Sequence, residues 1–118
     1  ADSGADALIV SNHGGRQLDG APSSISALPG IVEAAGRDIE VWMDGGVRSG
    51  QDVLKARALG ARGTLIGRAF LYGLGAAGEA GVTRALQIIH KELDVSMAFC
   101  GRTRIDDVGS DILLPGSF

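Results

Sequence analysis

Ala7-Leu8-Ile9-Val10-Ser11-Asn12-His13-Gly14-Gly15-Arg16-Gln17-Leu18-Asp19 joins an apolar run to a polar turn. Four apolar residues bounded by polar ones read as a short buried strand. A histidine and an arginine therefore leave the end of a strand together, with two glycines between them. Gly14 and Gly15 remove side-chain bulk and admit positive φ, so the backbone can turn sharply and approach a ligand. Such a turn suits a small anion that must also lose a proton. Arg16 would clamp a carboxylate in a bidentate fork, and His13 would take the proton. The same spacing fits two ordinary polar loop residues, and spacing alone leaves both readings open.

Working outward, strand, loop and helix recur in order. Ser23 to Ala35 reads as helical, with Pro29 either opening a second helix or kinking one, and Gly36 fits a C-cap. Glu40–Met43 is a second strand. A helix then runs from Ser49 or Gly50 to Leu59, closed by Gly60. Gly63-Thr64-Leu65-Ile66 is a third strand, followed by a short apolar helix around Ala69–Ala77. The longest helix spans about Glu79 to Phe99, with Val82, Leu86, Ile89, Leu93 and Met97 at helical spacing. Strands alternating with helices imply parallel βα units and an α/β fold. A (β/α)8 barrel needs eight such units and about 250 residues, so three units are part of one. A three-stranded flavodoxin-like unit is the alternative, but its two apolar edge strands would stand uncovered.

The second and third strands also end in glycine and arginine. Asp44-Gly45-Gly46-Val47-Arg48-Ser49-Gly50 combines a strand end, a glycine pair and a helix start, where backbone N–H groups can point at an anion. Gly67-Arg68 repeats the arrangement and adds a guanidinium. In barrels the last two such loops often form a phosphate site, on the face that would also carry His13 and Arg16. The plain alternative for Asp44 and Arg48 is a surface ion pair.

The chain has 118 residues, room for one small domain at most, and its 45% hydrophobic and 21% charged residues match soluble globular proteins. Nineteen glycines exceed the usual share and point to many tight turns or ligand-facing loops. A net charge of −3 argues against a general nucleic-acid binder. The one cysteine, Cys100, has no internal partner, which favours a reducing compartment. No apolar run approaches a membrane span and no signal peptide is recognisable. The opening Ala1-Asp2-Ser3-Gly4, without an initiator Met, is expected to be the cut edge of something longer.

The stretch from Ser11 to Asp19 resembles, without a gap, the signature of the FMN-dependent α-hydroxy-acid oxidases and dehydrogenases, which include glycolate oxidase, L-lactate dehydrogenase, mandelate dehydrogenase and flavocytochrome b2. The resemblance extends over nearly the whole chain, along the C-terminal third of those enzymes. It implies the last three βα units, strands six to eight, of one FMN-binding (β/α)8 TIM barrel spanning residues 1–118, with the upstream part absent from this chain. It also implies a substrate-binding catalytic base at His13, a carboxylate-binding Arg16, and FMN held by Ser11, Asp44, Gly45, Gly46, Val47, Arg48, Gly67 and Arg68. The expected reaction is oxidation of an L-2-hydroxy acid to the 2-oxo acid. The segment Met97–Ile105 favours the respiratory L-lactate dehydrogenases, and the isolated segment is expected to be inactive. Expected partners are the substrate, the upstream barrel segment (on the same polypeptide or a companion chain) and further copies in a homo-oligomer. The expected location is the cytoplasm, free or peripheral at the membrane face. Loops like those at Asp44 and Gly67 also occur in type 2 isopentenyl-diphosphate isomerase and inosine-monophosphate dehydrogenase, which lack the Ser11–Asp19 motif. A non-catalytic assembly unit is the other alternative.

Remaining residues carry ordinary expectations. Trp42 and Tyr72 should pack, His90 should be solvated, and Cys100 should be a small buried hydrophobe. Asp19 should support the His13–Arg16 turn. Asp106, Asp107 and Asp111 do not have a metal-binding spacing.

Overall fold

A computed structural model describes residues 3–116. In chain order it contains β1 (Ala7–Val10), a 3-10 turn at His13–Gly15, α1 (Ser24–Ala35), β2 (Glu40–Met43), α2 (Gly50–Ala58), β3 (Gly63–Thr64) and α3 (Arg68–Phe99). Two further 3-10 turns, Ile105–Asp107 and Ser110–Ile112, follow. The strands form one parallel sheet in the order β1-β2-β3, with Leu8 beside Val41, Ile9 beside Trp42 and Trp42 beside Gly63. β3 is shorter than the expected Gly63–Ile66. Leu65 still donates its N–H to Met43 O at 2.9 Å, but β2 ends there, so Leu65 and Ile66 have no ladder beside them.

Helices cover one face of the sheet. Val10, Val41 and Met43 are buried with Leu28 of α1 and Ala56 of α2, and Leu8, Ile25, Ile31 and Val32 pack around them. On the other face, Ile9 is 52% exposed and Trp42 half-buried, with its indole ring over Gly63. α1 starts where Ser23 Oγ accepts the Ser26 N–H, and it continues through Pro29 as one helix. Pro29 lacks an N–H for the Ile25 carbonyl; complete burial of Leu28, worth about 1.5–3 kcal/mol, helps offset that loss. α2 opens on a reciprocal capping box between Ser49 and Asp52. Gly50 then lies directly against the backbone of Ile89–Leu93, a contact no Cβ could share.

α3 is one run broken at Ala77 (φ −153°, ψ 27°) and Gly78 (φ 58°, ψ −137°), where the sequence divides it into two helices. The break brings the backbones of Gly73 and Gly81 into contact. The second arm packs Leu93 and Met97 against Leu54, Ala58 and Val108, but none of α3 is fully buried. Leu86, in the expected apolar stripe, is 51% exposed. Tyr72 is 77% exposed rather than packed, because the first arm has only one side covered. Cys100 is a free, exposed thiol rather than a buried hydrophobe, since it caps α3 beyond the last packed turn. His90 is exposed, as its place on the helix suggests.

Candidate functional site

The turn after β1 is left-handed for three consecutive residues: His13 (φ 53°), Gly14 (φ 68°) and Gly15 (φ 71°). His13 is the only non-glycine with positive φ among the described residues. For an L-residue that conformation costs about 1–2 kcal/mol, so neighbouring hydrogen bonds must hold it. Ser11 Oγ accepts the His13 N–H at 3.1 Å, and Asn12 Oδ1 accepts the Gly14 N–H at 3.0 Å. Gly15 donates to Asn12 O at 2.9 Å. His13 and Arg16 both remain exposed on the far side of this turn. Asp19 accepts the neighbouring Gly20 N–H, a local turn contact in place of the expected support for His13 and Arg16.

The loop after β2 meets that turn. Val47 is buried in the core and anchors the loop, while Gly45 and Gly46 are left-handed. A Cβ on Gly45 would stand 2.9 Å from Ser24 Oγ and 3.0 Å from Asn12 Oδ1, so only glycine permits this approach. At the start of α2 itself the backbone N–H groups already have partners. Asp52 Oδ2 already accepts the Arg48 N–H, the Ser49 N–H and the Ser49 hydroxyl, each at 3.0 Å. Glu92 Oε2 accepts the Gly50 N–H at 2.9 Å. Two carboxylates from the fold thus occupy the backbone donors of Arg48, Ser49 and Gly50, while Gly45, Gly46 and Arg48 still line the adjacent cavity. The start of α3 differs: its N-cap is Gly67, with no side-chain cap, and the space where a side chain would begin there is open. The Arg68 guanidinium reaches toward Gly14, with Nη2 3.8 Å from where a Cβ would lie.

The three loops border one cavity of about 680 Å3 at the C-terminal ends of the strands. His13, Arg16, Asp44, Gly45, Gly46, Val47, Arg48, Gly67 and Arg68 all line it. Ser11 does not line it and instead supports His13 from behind. Three guanidinium groups on one cavity favour an anionic ligand. Asp44 Oδ1 is buried at its wall without a partner, and no ion pair joins Asp44 to Arg48 among the described residues. Such an orphaned acceptor calls for a donor from a ligand, such as a hydroxyl. Leu65, Ile66 and Leu71 add an apolar wall. Lining glycines, cations, an orphaned acceptor and an apolar wall together fit FMN, which carries a phosphate, hydroxyls and a flat ring. Asn12 and Ser24 were not singled out from sequence; an asparagine before two glycines, a common turn former, was the available signal.

Outside the cavity several charged residues pair with each other. Asp106 contacts Arg57 at 3.4 Å, Arg62 at 3.6 Å and Arg104 at 3.8 Å, and Asp111 pairs with Arg102. Among the described residues no cluster of three or more His, Cys, Asp or Glu side chains could hold a metal. Nor is any described helix long and apolar enough to cross a membrane.

The sequence profile of the family described as FMN-dependent dehydrogenase matches residues 1–115. An L-lactate dehydrogenase from Caulobacter vibrioides is 57% identical over 113 residues, covering 96% of this chain and 30% of that protein. A pre-mycofactocin synthase from Mycolicibacterium smegmatis is 52% identical over 118 residues, covering 99% of this chain and 30% of that protein. Among solved structures, a soluble mutant of the membrane-associated (S)-mandelate dehydrogenase from Pseudomonas putida superposes with a TM-score of 0.90 at 44% identity, covering 94% of this chain and 31% of that one. The chain thus spans about a third of the length of the proteins it matches, in their C-terminal portion. These matches do not favour the isomerase or assembly-unit alternatives.

Proposed function

The chain belongs to the FMN-dependent dehydrogenase family, and from that premise we propose that it forms strands six to eight of a (β/α)8 barrel that oxidises an L-2-hydroxy acid, with L-lactate favoured. The observation that carries this reading is the shared cavity, with His13 and Arg16 on one wall and the glycine–arginine loops on another.

Arg16 binds the substrate carboxylate through a bidentate pair of charge-assisted hydrogen bonds. That contact fixes the α-carbon and its hydroxyl relative to His13, three residues earlier on the same turn. His13 accepts the substrate proton, from the α-carbon in a carbanion route or from the hydroxyl in a hydride route. Gly45, Gly46, Gly67, Arg48 and Arg68 hold the FMN phosphate, and Asp44 takes a hydroxyl of the FMN side chain. Val47 shapes the loop, and Ser11, outside the cavity, holds His13 through its main-chain N–H. Bound there, FMN would accept the two electrons that leave the substrate as the 2-oxo acid forms.

The upstream barrel segment is the necessary partner. Ile9, Leu71, Leu86 and Ile88 are each more than two-fifths exposed, and β1 and β3 both present open edges. These are surfaces that neighbouring barrel units would cover. The assembled enzyme is expected to be a homo-oligomer in the cytoplasm, free or peripheral at the membrane. The test is to purify the full-length protein, record its flavin spectrum and assay L-lactate, glycolate and L-mandelate. A flavin-bearing protein that oxidises one of them supports the reading; a protein that binds no FMN, or oxidises none, refutes it. The isolated 118 residues should aggregate or melt without cooperativity, and a sharp melt from a monodisperse monomer would overturn the barrel-segment assignment.

A further inference from the structure

We propose that Asn12 is a positioning residue for His13: its side chain locks the strained turn that presents the imidazole and braces it against the glycine loop after β2. The proposal rests on the assignment of His13 as the base. Asn12 and Gly15 are half-buried, whereas Ser11, His13, Gly14 and Arg16 are exposed, so Asn12 is the one half-buried side chain of the turn. It does not line the cavity, so any effect on the reaction passes through its neighbours.

Three hydrogen bonds and one close approach define its role. Oδ1 accepts the Gly14 N–H at 3.0 Å, and the main-chain carbonyl accepts the Gly15 N–H at 2.9 Å. These two bonds lock the left-handed glycines that follow His13. Nδ2 donates to Pro22 O at 3.4 Å and ties the turn to the approach to α1. Oδ1 also lies 3.0 Å from the Cβ position of Gly45, so the loop assigned to FMN abuts the atom that locks the turn. An amide suits this place because it accepts on one side and donates on the other. An aspartate keeps the acceptor and loses the donor, while an alanine loses both. The left-handed φ of His13 is then held by Ser11 Oγ and the main chain alone, and the imidazole drifts from its reacting distance. A displacement near 1 Å costs about a hundredfold in rate for a positioned catalytic group.

The full-length, FMN-loaded enzyme provides the test, with Asn12→Ala and Asn12→Asp compared at the pH optimum of each variant. Anaerobic single-turnover bleaching of the flavin by L-lactate reads the chemical step, with α-deuterated lactate to show whether C–H cleavage limits it. FMN dissociation is followed by fluorescence, and oxalate binding by the flavin spectrum. Asn12→Ala should slow bleaching about tenfold to a hundredfold and raise the isotope effect. FMN and oxalate affinities should stay within about twofold. Asn12→Asp should recover most of the rate, because the bond from Gly14 survives. If Asn12→Ala does not fold, the aspartate variant decides alone, and a loss as large as that expected for alanine overturns the proposal. So does an unchanged rate in Asn12→Ala, or a rate loss matched by equal loss of FMN. Wild-type enzyme that is not bleached by lactate, glycolate or mandelate removes the reaction assignment itself, and the proposal with it. Bleached wild type with an indifferent Asn12→Ala removes only the positioning role.

Discussion

Two helices begin beside the cavity with a glycine and an arginine at or near their first residue, and only one of them is without a side-chain cap. At the start of α2, Asp52 and Glu92 accept the N–H groups of Arg48, Ser49 and Gly50. At the start of α3, Gly67 supplies no side-chain cap. Local sequence makes the two look like equal anion sites, but Asp52 and, 42 positions beyond Gly50, Glu92 together occupy the first. The difference separates tasks. In the proposed reading the start of α2 serves the fold, and the start of α3, with Gly45, Gly46 and the Arg48 side chain on the same cavity, receives the phosphate.

That division predicts which variants change chemistry, cofactor binding or stability in the full-length enzyme. The largest effect belongs to the turn. His13→Gln should lower turnover by about 10²–10⁴-fold, the usual contribution of a general base, while flavin stays bound. Steady-state kinetics beside a flavin-to-protein absorbance ratio would check it, and near-normal turnover would show that the base lies elsewhere. Next, Arg16→Met should lower kcat/KM by more than kcat alone, since the clamp both binds and orients; a change in kcat only would argue against carboxylate binding. Third, Arg68→Ala should weaken FMN binding by about 1.5–3 kcal/mol, the range for a hydrogen bond to a charged group. Fluorescence titration of the apoprotein measures this, and unchanged affinity would mean that α3 is not the phosphate end. The smallest effect separates the two helices most finely. Asp52→Ala should lower stability by about 0.5–2 kcal/mol through loss of the cap, with far less effect on FMN affinity than Arg68→Ala. Denaturant melts beside the same titration would reveal the contrary case, in which α2 also holds the cofactor.

Much of this was legible because local rules governed it. β1 and β2 lie where their apolar runs place them, and Ser23 and Ser49 cap the helices that follow. Ala77 and Gly78 break α3 where its pattern divides. The loops carrying His13, Arg16, Asp44 and Arg68 meet because parallel βα units put every strand's C-terminal end on one side. What was hidden depended on distant partners. The occupation of α2 by Glu92, the contact between Gly45 and Asn12, and the exposure of Tyr72 and Cys100 all follow from tertiary packing. The bond from His13 N–H to Ser11 Oγ spans only two residues, yet it needed the left-handed turn to be seen.

A crystal structure of the full-length protein with FMN and oxalate would test the central claim most directly. The phosphate should lie within about 2.7–3.2 Å of the Arg68 guanidinium and the Gly67-side N–H groups of α3, and an oxalate carboxylate should be forked on Arg16 beside His13. A phosphate seated on the start of α2, with Asp52 and Glu92 displaced, or an FMN bound away from the cavity shared by His13 and Arg68, would contradict it.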